Sequence, residues 1–157
     1  MQKLMTCLWF DDRIEDAVAF YTSVFPDAKV TQTQRYPDGG PMAGKVLTVT
    51  FELAGQEFMA LNGGRPAVYT EAVSVVVRCE SQKEVDHYWH ALIEGGGEAS
   101  QCGWLKDRFG LSWQIVPNAL IRLMTDKDRA RAARVTQALM GMRKIDIAAL
   151  EKAAAGG

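Results

Sequence analysis

The sequence predicts an α+β fold of two tandem βαβββ modules plus C-terminal helices, on three observations. Strand alternation and helical spacing follow one another in the order strand, helix, three strands, and that order then starts again. Shifting the first run by 68 residues lays Asp12 on Glu80, Asp16 on Glu84, Ala17 on Val85, Phe20 on Tyr88, Tyr21 on Trp89 and Val24 on Leu92, so aromatic pairs fall on aromatic pairs. From Asn118 onward strand alternation disappears and the chain becomes alanine-rich. The expected organisation is paired modules over residues 1–117 (about 1–64 and 68–117), with 118–157 a helical extension of the same domain.

Residues 3–10 (KLMTCLWF) read as the opening strand, and Asp11 and Asp12 offer caps for a helix whose apolar residues Ile14, Ala17, Val18, Tyr21, Val24 and Phe25 recur at helical spacing. Pro26 and Asp27 stop it. Strands are predicted over 28–36, over 45–53 after the turn-rich PDGGPMAG, and over 56–62 across Ala54-Gly55. The second run opens with a strand at 72–79, then Ser81 as an N-cap with Glu84 three residues on, and a helix amphipathic through Val85, Tyr88, Trp89, Leu92 and Ile93. After Gly95-Gly96-Gly97 comes EASQCGWLK, and then KDRFGLSWQIVPN, in which Asp107 and Gly110 make a turn and Pro117 ends the strand. Alternation puts Leu111, Trp113 and Ile115 on one face of that strand, and Ser112, Gln114 and Val116 on the other. Three further helices are expected to start at Asn118, at Thr125 or Asp126, and at Asp146; Val135, Leu139 and Met142 form an apolar stripe on a segment otherwise basic through Arg129, Arg131, Arg134, Arg143 and Lys144.

A chain of 157 residues can bury a core unaided. With 18 basic and 19 acidic residues its net charge is −1, so no global field draws it towards nucleic acid or an anionic membrane. No apolar run approaches the roughly 20 residues that span a bilayer. Cys7, Cys79 and Cys102 are an odd number without metal-type spacing, and the N-terminal MQKLMTCLWF runs straight into a strand pattern rather than a signal peptide. A reduced, cytoplasmic protein with a small-molecule or protein partner is expected.

Two βαβββ runs, each passing from strand through an acidic turn to a helix, with a D-x-x-G turn before the last strand, resemble the vicinal oxygen chelate superfamily, which has the glyoxalase/bleomycin resistance-like fold and includes extradiol dioxygenases. LWFDD at 8–12, AVAFYTSVFPDAKV at 17–30, LTVTFELAGQEFMALNGG at 47–64 and CGWLKDRFGLSWQIVP at 102–117 look closer still to its PhnB-like branch, often labelled "demethylubiquinone methyltransferase" domains. The likeness extends over residues 1–150. It implies that each module curls into a half-open cup and that the protein is a homodimer. Enzymes of the superfamily bind a divalent metal through His, Glu or Gln at one position on each of four strands. The equivalent positions here are Thr6, Asn62, Val73 and Gln114.

A divalent ion leaving water needs strong donors, preferably anionic or imidazole, and Thr, Asn, Val and Gln supply only weak neutral ones. No metal or other cofactor is therefore expected. His87 and His90 fall in the second helix, where an i, i+3 pair is ordinarily surface. A nucleotide-type methyltransferase would need a parallel sheet with a G-x-G-x-x-G loop, which this chain lacks, so the methyltransferase label has no mechanical support. Cys102 has Lys106 and Arg108 close in sequence but no histidine base, so a structural or pocket-lining thiol is the better reading. The pocket candidates are Thr6, Leu8, Asn62, Ser74, Cys102, Trp104 and Gln114. The expected function is metal-free small-molecule binding, catalytic or not. The alternatives are a metal-dependent lyase, isomerase or dioxygenase, and an antibiotic-sequestering resistance protein.

Overall fold

In the computed structural model the described residues are 3–157; Met1 and Gln2, which begin the N-terminal stretch discussed above, lie outside them. The chain divides into two compact units, the first ending at Val68 and the second starting at Tyr69.

The first unit runs β1 (Thr6–Phe10), α1 (Ile14–Val24), β2 (Lys29–Arg35), β3 (Val46–Leu53) and β4 (Gln56–Asn62). Its sheet has the order β1-β4-β3-β2, with β1 parallel to β4 and the other pairs antiparallel. Ala54 and Gly55, at φ 47° and 78°, form the two-residue turn between β3 and β4; two positive φ values match the twist of a tight hairpin. Helix α1 packs on the face that carries Phe10, Phe51 and Phe58: Tyr21 stacks on Phe51 at 6.3 Å between ring centroids, and Phe51 stacks on Phe58 at 5.7 Å. The two aspartates expected to cap α1 do not. Its N-cap is Arg13, which makes no side-chain capping bond. Asp11 instead accepts from the Arg13 N–H two residues on, a local Asx turn, while Asp12 pairs with Lys45.

The second unit repeats the plan: β5 (Ser74–Cys79), α2 (Gln82–Ile93), β6 (Glu98–Ala99), β7 (Trp104–Lys106) and β8 (Ser112–Pro117), in the order β5-β8-β7-β6. Ser81 caps α2 by accepting from the Glu84 N–H, and the Glu84 carboxylate reaches back to the Glu80 N–H. Val85, Trp89 and Leu92 of α2 are buried, as are Leu105, Trp113 and Ile115 of the sheet on which α2 packs.

Three helices, α3 (Asn118–Met124), α4 (Arg129–Met140) and α5 (Ile147–Ala155), complete this unit. Asp146 caps α5 as expected. The other two starts differ from the sequence reading. Pro117 rather than Asn118 is the N-cap of α3, the Asn118 amide being drawn to Glu80; Asp128 rather than Thr125 or Asp126 caps α4, accepting from the N–H groups of Ala130 and Arg131. The Thr125 hydroxyl is turned back onto Ile121 O at the end of α3, and Asp126 accepts from Asp128 N. Leu120, Leu123, Val135, Leu139, Ile145, Leu150 and Ala154 form one buried cluster, with Met142, Val116 and Cys102 packed against it. The apolar stripe seen in the sequence is thus covered within its own unit, and Arg134, one of the basic residues, donates to the C-terminal carbonyls of Ala153 and Ala154.

Two devices fasten these helices to the sheet. The Gln82 amide donates to Ile145 O and accepts from Ile147 N. At Cys102-Gly103, with φ 56° and 84°, both N–H groups turn outward and donate to Met142 O and Arg143 O at 2.8 Å. A Cβ at Gly103 would stand 2.8 Å from Ile115 O and 2.7 Å from Ile145 Cδ1, so only glycine fits. Among the described residues no helix is long and apolar enough to cross a membrane.

Candidate functional site

The register of strand β8 fixes which side chains share the face of the second sheet opposite its helix-packed core. Ser74 pairs with Ser112, Val76 with Gln114, Trp104 with Gln114 and Lys106 with Ser112, so these residues share the face away from the buried Trp113 and Ile115. The Gln114 amide donates to Ser74 Oγ at 2.8 Å, which fixes its orientation and leaves its oxygen available. Trp104, half-buried, lies directly across the ladder from it.

The position of β8 is set by Asp107. This carboxylate, only 3% exposed, accepts from the backbone N–H groups of Phe109 and Leu111 through Oδ1 and from the Trp113 indole through Oδ2. Gly110, at φ 87°, donates back to Asp107 O. The D-x-x-G turn, closed further by the Asp107 N–H donating to Leu111 O, is therefore a knot of hydrogen bonds that aims Trp113 at the helix-packed face and, by alternation, Ser112 and Gln114 at the opposite one.

Beside this face is a hollow of about 380 Å3 lined by Glu71, Gln101, Cys102, Trp104, Lys106 and Ser112, among others. Its walls mix apolar surface with one ion pair, Lys106 to Glu71. The hydrogen bond from Lys106 holds the Glu71 carboxyl below its usual range, and the same bond raises Lys106. Ser112 is 1% exposed, and its Oγ is the one buried side-chain N or O atom among the described residues with no hydrogen-bond partner. An unpaired buried hydroxyl is costly, so its placement against a hollow is informative.

The seven candidates from the sequence separate by unit. Ser74, Trp104 and Gln114 come together on one sheet face, and Cys102 and Trp104 line the hollow. In the first unit Thr6, Leu8 and Asn62 have the parity of Phe10, Phe58 and Ala60, the face on which α1 packs; Leu8 is buried and Thr6 exposed at the strand end. The Asn62 amide is held by the backbone, donating to Val46 O and accepting from Gly64 N. The opposite face carries Cys7, Trp9, Met59 and Leu61. There Trp9 donates to Arg65 O and lies across Gly63, where a Cβ would come within 1.8 Å of the indole.

Of the thiols, Cys79 is fully buried and pushed up to about 12, by burial first and then by Glu84 and Glu80. Burial also raises Cys7. Cys102 Sγ approaches Leu139 O and Met140 Sδ, tying it to the helical cluster as well as the hollow. The donor set does not suit a divalent ion: Thr6 and Asn62 lie on the helix-packed face of the first sheet, Val73 has no donor atom, and Gln114 is engaged with Ser74. No group of three His, Cys, Asp or Glu side chains among the described residues converges as a metal site, and His87 and His90 are exposed on α2.

Residues 2–116 match the family described as 3-demethylubiquinone-9 3-methyltransferase. The chain belongs to this family. It is the PhnB-like branch of the vicinal oxygen chelate superfamily. A PhnB protein from Bacillus cereus, itself described as a 3-demethylubiquinone-9 3-methyltransferase, is 35% identical, with a TM-score of 0.67 over 74% of this chain and 99% of that one. The Pseudomonas aeruginosa protein PA1353 (17% identity, TM-score 0.63, 74% and 98% coverage) and the fosfomycin resistance protein FosX from Listeria monocytogenes (16%, 0.54, 75% and 93%) share the fold. No curated protein matches the chain. The family match stops at residue 116, short of the 150 expected, so α3–α5 lie beyond it.

The methyltransferase label of this PhnB-like family finds no catalytic support here. Each sheet has a single parallel pair, and neither β1 nor β5 leads into a glycine-rich phosphate loop. Of the residues lining the hollow, only Cys102 and Trp104 were among the sequence candidates; Lys106 was noted only as a neighbour of Cys102, and Ser112 and Glu71 were missed for different reasons. Ser112 was legible as a neighbour of Gln114 by alternation, but not as an unpaired hydroxyl. Glu71 sits in the irregular stretch before β5, where no periodicity marks it.

Proposed function

We propose that this PhnB-like protein binds a small molecule without a metal, on the open face of the second sheet, with Gln114, Ser74 and Trp104 as contacts and the hollow beside Cys102 receiving the rest of the ligand. The observation that carries the reading is the Gln114 amide, oriented by Ser74 and set opposite Trp104. An oriented neutral amide offers a donor and an acceptor to a ligand without the cost of burying a charge. The absence of anionic or imidazole donors at the superfamily's ligand positions supports the metal-free part. The homodimeric, cytoplasmic state, with residues 118–157 acting as an extension of the same domain, belongs to the same proposal.

The test is metal analysis of protein purified without chelator, followed by thermal melts with and without EDTA and with panels of small molecules. Metal well below one equivalent, an unchanged Tm in EDTA, and ligand-dependent stabilisation that is lost in Gln114→Ala are expected. One tightly held Zn, Ni, Mn or Fe per chain would overturn the metal-free reading and favour a lyase, isomerase or dioxygenase. Binding without turnover of any ligand found would favour sequestration over catalysis.

A further inference from the structure

Lys106 and Ser112 are direct partners across the β7–β8 ladder, so both project from rigid strand positions on the face that borders the hollow. Glu71, which satisfies Lys106, belongs instead to an irregular exposed segment ahead of β5, and the two side chains are 63% and 38% exposed. A pair this open to water contributes little to stability and exchanges readily. Of its two members the carboxylate is therefore the replaceable one, and what replaces it on a fixed ammonium is another carboxylate. Next to that exchange point lies the Ser112 hydroxyl, buried and without a partner, able to donate one hydrogen bond to an incoming oxygen. Glu98 faces Lys106 from β6, which limits the site to a single negative charge and disfavours a phosphate dianion. The rest of the lining is the polar pair Ser100 and Gln101 together with Cys102, Trp104 and Leu105, which are apolar or aromatic.

Resting on the binding reading above, we infer that the ligand is a monocarboxylate with a compact aromatic or apolar body, its carboxylate taken by Lys106 and Ser112 in place of Glu71 and its body lying against Trp104. Glu71 then acts as an internal competitor that holds the ammonium until the ligand arrives. Specificity lies in the charge and in the hydroxyl, because a neutral isostere would leave Lys106 with Glu71 and Ser112 unpaired.

The test uses benzoate and its neutral isostere benzamide, titrated into the full chain and followed through the Trp104 indole N–H and the Lys106 amide in 1H–15N spectra. Benzoate is expected to saturate and to bind about tenfold or more tightly than benzamide; Lys106→Gln should erase that ratio, and Ser112→Ala should weaken benzoate by about three- to tenfold. The decisive variant is Glu71→Gln, which keeps size and exposure and should tighten benzoate by about three- to tenfold by removing the competitor. Unchanged or weaker benzoate binding in Glu71→Gln overturns the inference, as do a preference for benzoate over benzamide that survives Lys106→Gln and a benzoate affinity unchanged in Ser112→Ala. If benzamide binds as well as benzoate and both are lost in Trp104→Ala, the pocket stands and the carboxylate assignment falls. If neither probe moves Trp104 or Lys106, the pocket falls and takes the assignment with it.

Discussion

At Gln114, which the superfamily resemblance equates with a metal-ligand position, stands an amide whose nitrogen is occupied by Ser74 Oγ. Restoring a carboxylate there should not restore a metal. Gln114→Glu would lose the donor to Ser74 and place a half-buried carboxyl with no cation partner, raising its folded-state pKa. A raised carboxyl pKa leaves stability intact below the unfolded value near 4.3 and removes it as pH rises through the folded value. The variant is therefore expected to match the parent in urea at pH 4 and fall behind it at pH 7, without tight divalent binding by calorimetry. A nanomolar Zn or Ni site would show that the donor positions were assigned in the wrong register. Cys79 makes a second prediction: fully buried, with its thiol pushed up to about 12, it should resist alkylation at pH 8 in the native state and label once urea is added. Rapid native labelling would mean that β5 opens locally. The face and neighbours of Gln114 were legible because a strand has a period of two. The bond to Ser74 was not, since it depends on which residue of a separate strand lies beside it.

The β7–β8 turn and the helix starts show what sequence alone decides about an element. Asp107 and Gly110 signalled a turn, and one formed; that the carboxylate would also capture the Trp113 indole required the turn's closed geometry. Asp107→Ala would leave two backbone N–H groups and an indole N–H short of an acceptor, and is expected to cost about 2–4 kcal/mol in chemical denaturation while shifting the benzoate-responsive signals. A loss below about 0.5 kcal/mol would show that water replaces the carboxylate freely. Capping residues were harder to read. Within TDKDR three side chains can cap, and the choice fell to Asp128 because Thr125 finishes α3 by bonding back to Ile121 and Asp126 turns onto Asp128 N. Ser81, with one good acceptor and Glu84 at the right spacing, left no such choice.

For the whole molecule, the repeat offset of 68 residues became two sheets with the same strand order, first-fourth-third-second in each unit. The pattern survived because the core positions of each run, Tyr21 and Val24 in one and Trp89 and Leu92 in the other, meet the same requirement to cover a twisted sheet. What the sequence concealed was the destination of the C-terminal stripe, which the helical cluster of the second unit covers. A dimer must therefore use other surfaces, and an edge strand such as β2, exposed along its seven residues, is one to protect. Light scattering is expected to give about twice 17.3 kDa. A clean monomer at micromolar concentration would refute the dimer and leave β2 to its Lys29 and Arg35 charges alone.

The shared strand order also governs when each unit can form during synthesis. In both sheets the first strand made pairs only with the last: Thr6 must wait for Phe58, and Ser74 for Ser112. A nascent chain that has emerged as far as residue 55 possesses α1 and the β2–β3 hairpin segments, but the backbone of residues 6–10 has no strand to pair with until β4 leaves the ribosome. Loop closure of this length must be met before the parallel pair in each unit can form, so that pair is expected to follow the local hairpins and helices. Because neither sheet needs a strand from the other, the first can finish while the second is still being translated, so the vulnerable interval occurs twice and is short each time.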